Sequence, residues 1–267
     1  MNHFLLSVVI PVYNEEQVLA ANTRYLAGEF DRIVGSGAWQ FVIVDNGSTD
    51  ATPVLLRQVA ETWPTKILHA VEPNYGKALR TGLEGADTEW VHSIDIEQWD
   101  IPFFEWAWNN REQHDIFIGS KRADPTLNRQ PVYRKFLSWG LNCLIQLFFE
   151  HMGTDTHGPK LLRLSALKPI IAQCRMSRGQ FDTEFVLRSV RAGLRLVEAP
   201  VIYEEQRPAR RLMLEKIYIN IREFNRLRIM MKGIGFSGLV RYRRVCREDV
   251  LAQSQASSEA ANWIHTP

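Results

Sequence analysis

Apolar runs that stop abruptly at polar clusters recur along the first half of the chain. Phe4 to Val12 is almost continuously apolar, the pattern of a strand covered on both faces in a parallel sheet. Asn14-Glu15-Glu16 follows, and acids there predict a first helical turn, where they meet the positive end of the helix dipole; Gly35 to Gly37 closes the unit. Phe41 to Val44 is a second run, ending in Asp45-Asn46-Gly47-Ser48-Thr49-Asp50 before helical spacing at Val54, Leu55 and Val59. Lys66 to Ala70 predicts a third strand, followed by Pro73-Asn74-Tyr75-Gly76-Lys77 and a helix through Leu83. Trp90 to Ile94 and Asp115 to Gly119 supply two more. Strands alternating with helices predict an α/β fold with a mostly parallel sheet flanked by helices, because parallel neighbours need crossover connections.

Ligands of such sheets bind beyond the carboxyl ends of the strands. Asp45, Asn74 to Lys77 and Asp95 to Glu97 therefore converge on one edge, in a cleft rich in groups that hydrogen-bond a nucleotide and its diphosphate. Asp95 and Glu97 are two apart, which in an extended segment aims both carboxylates to one side. That pair suits a hard divalent cation, which takes one or two carboxylates and fills its shell with water and phosphate oxygens. No G-x-G-x-x-G follows the first strand and no P-loop motif occurs anywhere, which counts against dinucleotide and P-loop readings.

With 267 residues, 45% hydrophobic and 23% charged, the chain has room for one large domain, alone or with an appendage. A net charge of +2 makes no overall case for nucleic acid, so any anionic partner must meet a local patch. Cys143, Cys174 and Cys246 are too scattered for a disulfide framework, which points to a reducing compartment. The apolar N-terminus runs into Pro11 and acids with no small-residue cleavage pattern, so it reads as a strand and not as a signal peptide. No uninterrupted apolar stretch reaches the roughly 18 residues that would predict a membrane span.

Four motifs carry a resemblance: VVIPVYNEE at Val8 to Glu16, VDNGSTD at Val44 to Asp50, NYGKALRTGL at Asn74 to Leu83, and the acids Asp95 and Glu97. In this order and spacing they resemble the family 2 inverting glycosyltransferases of the GT-A fold. GSKR at Gly119 to Arg122, the Tyr133-Arg134 helix start, DTHGPKLLR at Asp155 to Arg163 and FDTE at Phe181 to Glu184 are similar to the branch that moves a sugar onto a polyprenyl or dolichyl phosphate. The resemblance covers roughly residues 6 to 204. It implies that Pro11, Tyr13 and Glu15 hold the base and ribose region of a UDP- or GDP-hexose, that Asp45 contacts base or ribose, and that Lys77 lies near the phosphates. It further implies that Asp95 and Glu97 take the D-x-D positions that place Mg²⁺ or Mn²⁺ on the diphosphate. Glu97 stands where Asp is usual, Asn46 where a second acid is common, and Gly158-Pro159-Lys160 where Gly-Phe and a basic residue are usual.

Lys121, Arg122, Arg129 and Arg134 follow the fifth strand closely, and guanidinium groups bind phosphate oxygens in pairs, so these residues are candidates for an acceptor phosphate. A solvated basic loop is the plainer alternative. Asp182 and Glu184 offer either a base for a hydroxyl acceptor or a cap for the helix that begins there. His157 reads as structural or exposed. From Arg207 to Arg247 twelve Lys or Arg face two acids, with apolar residues interleaved. That pattern predicts a basic amphipathic segment on an anionic membrane surface, at about 1 kcal/mol per basic residue near the surface; nucleic acid would satisfy the same charges, and the implied lipid acceptor favours the membrane.

The combined expectation is a GT-A domain at residues 1–204, a membrane-associating appendage at 205–250 and a mobile tail at 251–267, in a protein that is cytoplasmic and peripherally membrane-associated. Its expected reaction is metal-dependent, inverting transfer of a hexose from a nucleotide sugar to a polyprenyl phosphate. The alternatives are transfer to a saccharide hydroxyl, or a catalytically silent protein that binds nucleotide sugar or membrane.

Overall fold

The first apolar runs become the centre of the sheet. Leu6–Val12 (β1), Trp39–Asp45 (β2), Thr65–His69 (β3) and Trp90–Ser93 (β4) pair in parallel, with β1 between β2 and β4. Every residue of β1, β2 and β4 is buried, as expected for strands covered on both faces. The crossovers are helices Leu19–Ile33 (α1), Thr52–Thr62 (α2) and Tyr75–Gly85 (α3). In this computed structural model the described residues are 4–70, 72–149, 153–204, 213–233 and 241–254.

The second half adds Ile101–Asn109 (α4), Ile116–Ser120 (β5), Val132–Phe149 (α5), Lys160–Arg163 (β6), Leu164–Gln173 (α6), Gln180–Arg191 (α7), Arg195–Pro200 (β7), Met213–Met231 (α8), Arg241–Arg244 (β8) and Arg247–Ala252 (α9). The eight strands lie in the order β3-β2-β1-β4-β6-β5-β7-β8. Only β6 runs against its neighbours, antiparallel to both β4 and β5. This single inversion sets Lys160 opposite Ser93, two residues before Asp95.

Two expectations change. Helix α1 starts at Leu19 and has no acid in its first turn, because Asn14 takes a left-handed backbone (φ 56°) and the following residues tie to the next loop. There the Glu16 carboxylate accepts from Ala51 N at 2.9 Å, serving the N-terminus of α2 instead of its own helix. The boundary at residue 204 also moves. Strand β8 pairs in parallel with β7, and α9 packs against α4, so residues 241–252 of the expected appendage and tail belong to the α/β body. The Arg247 guanidinium is buried 2.9 Å from Asp100 and donates to Pro200 O at 3.0 Å. Helix α8 lays Phe224, Leu227 and Met231 on Ile145 and Phe149 of α5 and Leu187 of α7, so much of its apolar face is core. Residues 205–212, 234–240 and 255–267 lie outside the described residues. No described helix is long and apolar enough to cross a membrane.

Candidate active site

Three loops at the carboxyl edge of the sheet interlock by side chains that the sequence placed in its polar turns. Asn14 N donates to Ser48 Oγ at 3.1 Å, and Thr49 N donates to Asn14 Oδ1 at 2.8 Å. Asn46 Oδ1 accepts from Asn74 N at 2.7 Å, and Asn74 Oδ1 accepts from Lys77 N and from Arg178 N at 3.2 and 2.8 Å. Gly76 is required here, since a Cβ would lie 2.1 Å from the Arg178 carbonyl oxygen. Pro11 is buried at the end of β1 and Tyr13 is half-buried just beyond it. Glu15 N donates to Thr52 Oγ1 at 2.8 Å. Asp45 is buried at the tip of β2, where its Oδ1 accepts from Ser48 N at 2.9 Å. Lys77, in the first turn of α3, pairs with Glu72 at 3.0 Å on the surface.

Beside these loops opens a cavity of about 420 Å³. Its wall includes Tyr75, Asp95, Gln98, Lys121, Arg122, Asp155, His157 and Tyr203. Asp95 is therefore in the cavity, but Glu97 is not among its lining residues. The reason is local. Residues Asp95 to Gln98 form a tight turn, with Gln98 N donating to Asp95 O at 3.0 Å, so the two acids are not in an extended segment and do not share a side as expected. Gln98 takes the cavity position, and its amide donates to the Glu204 carbonyl.

Burial, and after it the neighbouring Asp182 carboxylate, push Asp95 up to about 6, against the opposing pull of Lys160, Tyr75 and Lys121. Tyr75, which hydrogen-bonds Asp95, is driven well above the usual phenol range by burial and by the same two carboxylates. Asp182 and Lys160 form a buried ion pair at 2.7 Å, and Lys160 Nζ also donates to Gly158 O at 2.9 Å. Asp182 is thus neither the cap of α7, whose N-cap is Gly179, nor an isolated acid. Glu184 is fully buried, accepts from Arg175 N, Met176 N and Arg188 Nε at 2.7, 2.6 and 2.8 Å, and is not among the residues lining the cavity.

Of the four expected phosphate ligands, Lys121 and Arg122 line the cavity and Arg129 does not. Lys121 Nζ lies 4.3 Å from the centre of the Tyr203 ring, and burial lowers the Arg122 guanidinium below its ordinary value. Arg129 pairs with Glu204 at 3.1 Å. Arg134 belongs to α5, and its side chain lies outside the described residues. His157 Nε2 donates to Gly179 O at 2.9 Å and Nδ1 accepts from Thr156 Oγ1 at 3.1 Å; both nitrogens are engaged, and burial lowers its pKa. Gly158 lets this loop lie on β5, since a Cβ would fall 1.7 Å from Gly119 O.

A family model described as glycosyl transferase family 2 matches residues 7–96, the stretch that supplies the interlocked loops and Asp95. The match places a family 2 glycosyltransferase domain in residues 7–96. The curated dolichyl-phosphate beta-glucosyltransferase of Trichomonas vaginalis is 30% identical to this chain over 214 residues, covering 75% of the chain and 66% of the relative, a little under two thirds of its length. Among solved structures, glucosyl-3-phosphoglycerate synthase from Mycobacterium tuberculosis with UDP superposes with TM-score 0.59 at 17% identity, over 88% of this chain and 83% of that one. A mannosyltransferase from Pyrobaculum calidifontis with GDP-Man and Mn²⁺ gives TM-score 0.54 at 18% identity, over 99% of this chain and 76% of that one. These likenesses establish the expected GT-A fold.

Proposed function

We propose that the protein transfers a hexose from a UDP- or GDP-hexose to a polyprenyl phosphate, with inversion at the anomeric carbon. One observation carries the reading: Asp95 and the cations Lys121 and Arg122 line the same cavity. An acid beside the donor diphosphate and cations beside a second phosphate are what two anionic substrates require in one site. A phosphate oxygen of the acceptor attacks the anomeric carbon as the bond to the diphosphate breaks, and the nucleoside diphosphate leaves from the opposite face. Such an acceptor is already an anion near neutral pH and needs no general base. A hydroxyl acceptor would need one, and the two carboxylates expected for that task are committed, Asp182 to Lys160 and Glu184 to three donors.

The loops carrying Pro11, Tyr13, Glu15 and Asp45 would hold the nucleoside, with Lys77 at the α3 N-terminus near the phosphates. Burial, and after it Asp182, raise the pKa of Asp95, and a divalent cation completed by the diphosphate and water would stabilise its carboxylate there. Asp95 would hold Mg²⁺ or Mn²⁺, and when bound the ion would neutralise charge on the departing diphosphate. Attachment to an anionic membrane surface would bring the lipid acceptor to the cavity. It is supported by the exposed Trp139, Leu147 and Phe148 of α5 and Ile229 of α8, by Arg228 over the Phe148 ring, and by the exposed Arg222, Arg226 and Lys232 in the same stretch of chain as Ile229.

The test is incubation with UDP- and GDP-hexoses, Mg²⁺ or Mn²⁺ and a short polyprenyl phosphate, with lipid-phosphate hexose as the expected product. Exclusive glycosylation of a soluble saccharide would overturn it. Dolichyl phosphate, the acceptor in the Trichomonas relative's name, is of the proposed class.

A further inference from the structure

Glu198 lies in β7, 1% exposed, between strands β5 and β8, where an acid has no place in an apolar strand without partners. Its carboxylate accepts from Thr154 N at 3.0 and 3.1 Å, from Thr154 Oγ1 at 2.5 Å and from Asp155 N at 2.9 Å. The Tyr242 hydroxyl of β8 donates to it as well, and Arg244 Nε lies 3.7 Å away. The chain of bonds continues beyond Thr154. Ser120 Oγ lies 2.7 Å from Thr154 Oγ1 and accepts from Arg122 N and Ala123 N, both at 3.1 Å.

The directions of these bonds follow from proton counting. With two N–H groups pointing at it, Ser120 Oγ gives its own proton to Thr154 Oγ1, which in turn gives its proton to Glu198. All the remaining partners bring protons too. Only an ionised carboxylate accepts them all; an amide of the same shape offers one acceptor and turns an NH₂ toward donors. The two segments ordered in this way, 120–123 and 154–158, contribute Lys121, Arg122, Asp155 and His157 to the cavity.

We propose that Glu198 is a positioning residue for the transfer reaction, whose charge aligns the two cavity-wall loops 120–123 and 154–158, and that Tyr242 makes the C-terminal strand part of that frame. The inference rests on the transfer reading above. A misplacement of about 1 Å in an active site costs on the order of 10²-fold in rate.

The test uses the full chain with Glu198→Gln and Tyr242→Phe. Amide hydrogen exchange is followed in segments 120–123 and 153–158, together with turnover, acceptor KM, and UDP and GDP affinity by calorimetry. Glu198→Gln is expected to raise exchange in both segments together, lower turnover on the order of 10²-fold and raise acceptor KM, with nucleotide affinity unchanged. Tyr242→Phe is expected to do the same more weakly, and with Thr154→Val it carries the test if Glu198→Gln does not fold. Unchanged exchange in a folded Glu198→Gln protein, turnover and acceptor KM within about twofold of native, or a parallel loss of nucleotide affinity would each overturn the proposal. A native protein that transfers no hexose to polyprenyl phosphate sinks the transfer reading instead, and the exchange result still decides whether Glu198 orders the wall.

Discussion

Asp95 combines an unfavourable local environment with a proposed central role, and the two can be separated by pH. Its carboxyl is held up to about 6, above the roughly 3.9 of an unfolded chain, so between about pH 4 and pH 6 the folded state binds more protons and stability falls as pH rises. Asp95→Asn removes that penalty. It is expected to unfold at higher denaturant than the native protein at pH 7 and to show no advantage near pH 4, while losing more than the roughly 10- to 100-fold in activity that an outer-shell change at a metal site costs. Denaturation curves at the two pH values and one turnover assay check both halves. Asp182→Asn probes the same cluster from the other side. With the neighbouring charge gone, the acid limb of the pH–turnover profile is expected to move to lower pH, and burying Lys160 without its partner is expected to cost about 3–5 kcal/mol of stability. An acid limb that stays in place would dissociate Asp182 from the titration of Asp95.

At the scale of elements, the legible part of the chain was the part whose burial is two-sided. Runs such as Val8 to Ile10 and Phe41 to Val44 announce strands because both faces are covered, and Asp95, just past the end of β4, lines the cavity. Strands β6 and β8 were not legible. Lys160–Arg163 is short and starts with a charge that the Asp182 pair buries, and Arg241–Arg244 is an edge strand with a single neighbour, so neither carries an apolar signature. Side-chain direction was the other gap: Glu97 left the cavity because of a tight turn, and Glu184 looks the same in sequence whether it faces a substrate or closes a loop. The reassignment of β8 and α9 to the body has a measurable outcome. Ending the chain after residue 240 exposes the edge of β7 and strips Asp100 of Arg247, so this truncation is expected to fail to fold cooperatively. Arg247→Met alone is expected to destabilise by about 3–5 kcal/mol in urea denaturation. Cooperative unfolding of the truncated chain at native denaturant concentration would restore the idea of a separable appendage.

For the whole molecule, the proposed membrane contact falls where α5 and α8 meet. Leu147 and Ile229 are 74% and 75% exposed, and Arg228 stacks 4.5 Å from the centre of the exposed Phe148 ring. Leu147→Glu with Ile229→Glu is expected to reduce flotation with anionic liposomes while leaving nucleotide affinity unchanged, and attachment of the native protein is expected to weaken with salt. Equal flotation of native and double variant would move the contact elsewhere. The antiparallel β6 has a different reach, into the order in which the chain assembles. Because it lies between β4 and β5, the two halves of the sheet have no shared edge until residue 160 arrives, whereas β1 to β4 pair entirely among residues 6–93. A growing chain can therefore consolidate its N-terminal half first, leaving β4 as an open edge that the later segment must cap before another molecule does. In refolding followed by pulsed hydrogen exchange, protection is expected in β1 and β2 before β5 and β7, and Lys160→Pro, which removes a donor and fixes the backbone at that seam, is expected to stall the process there and drive aggregation through the unpaired edge.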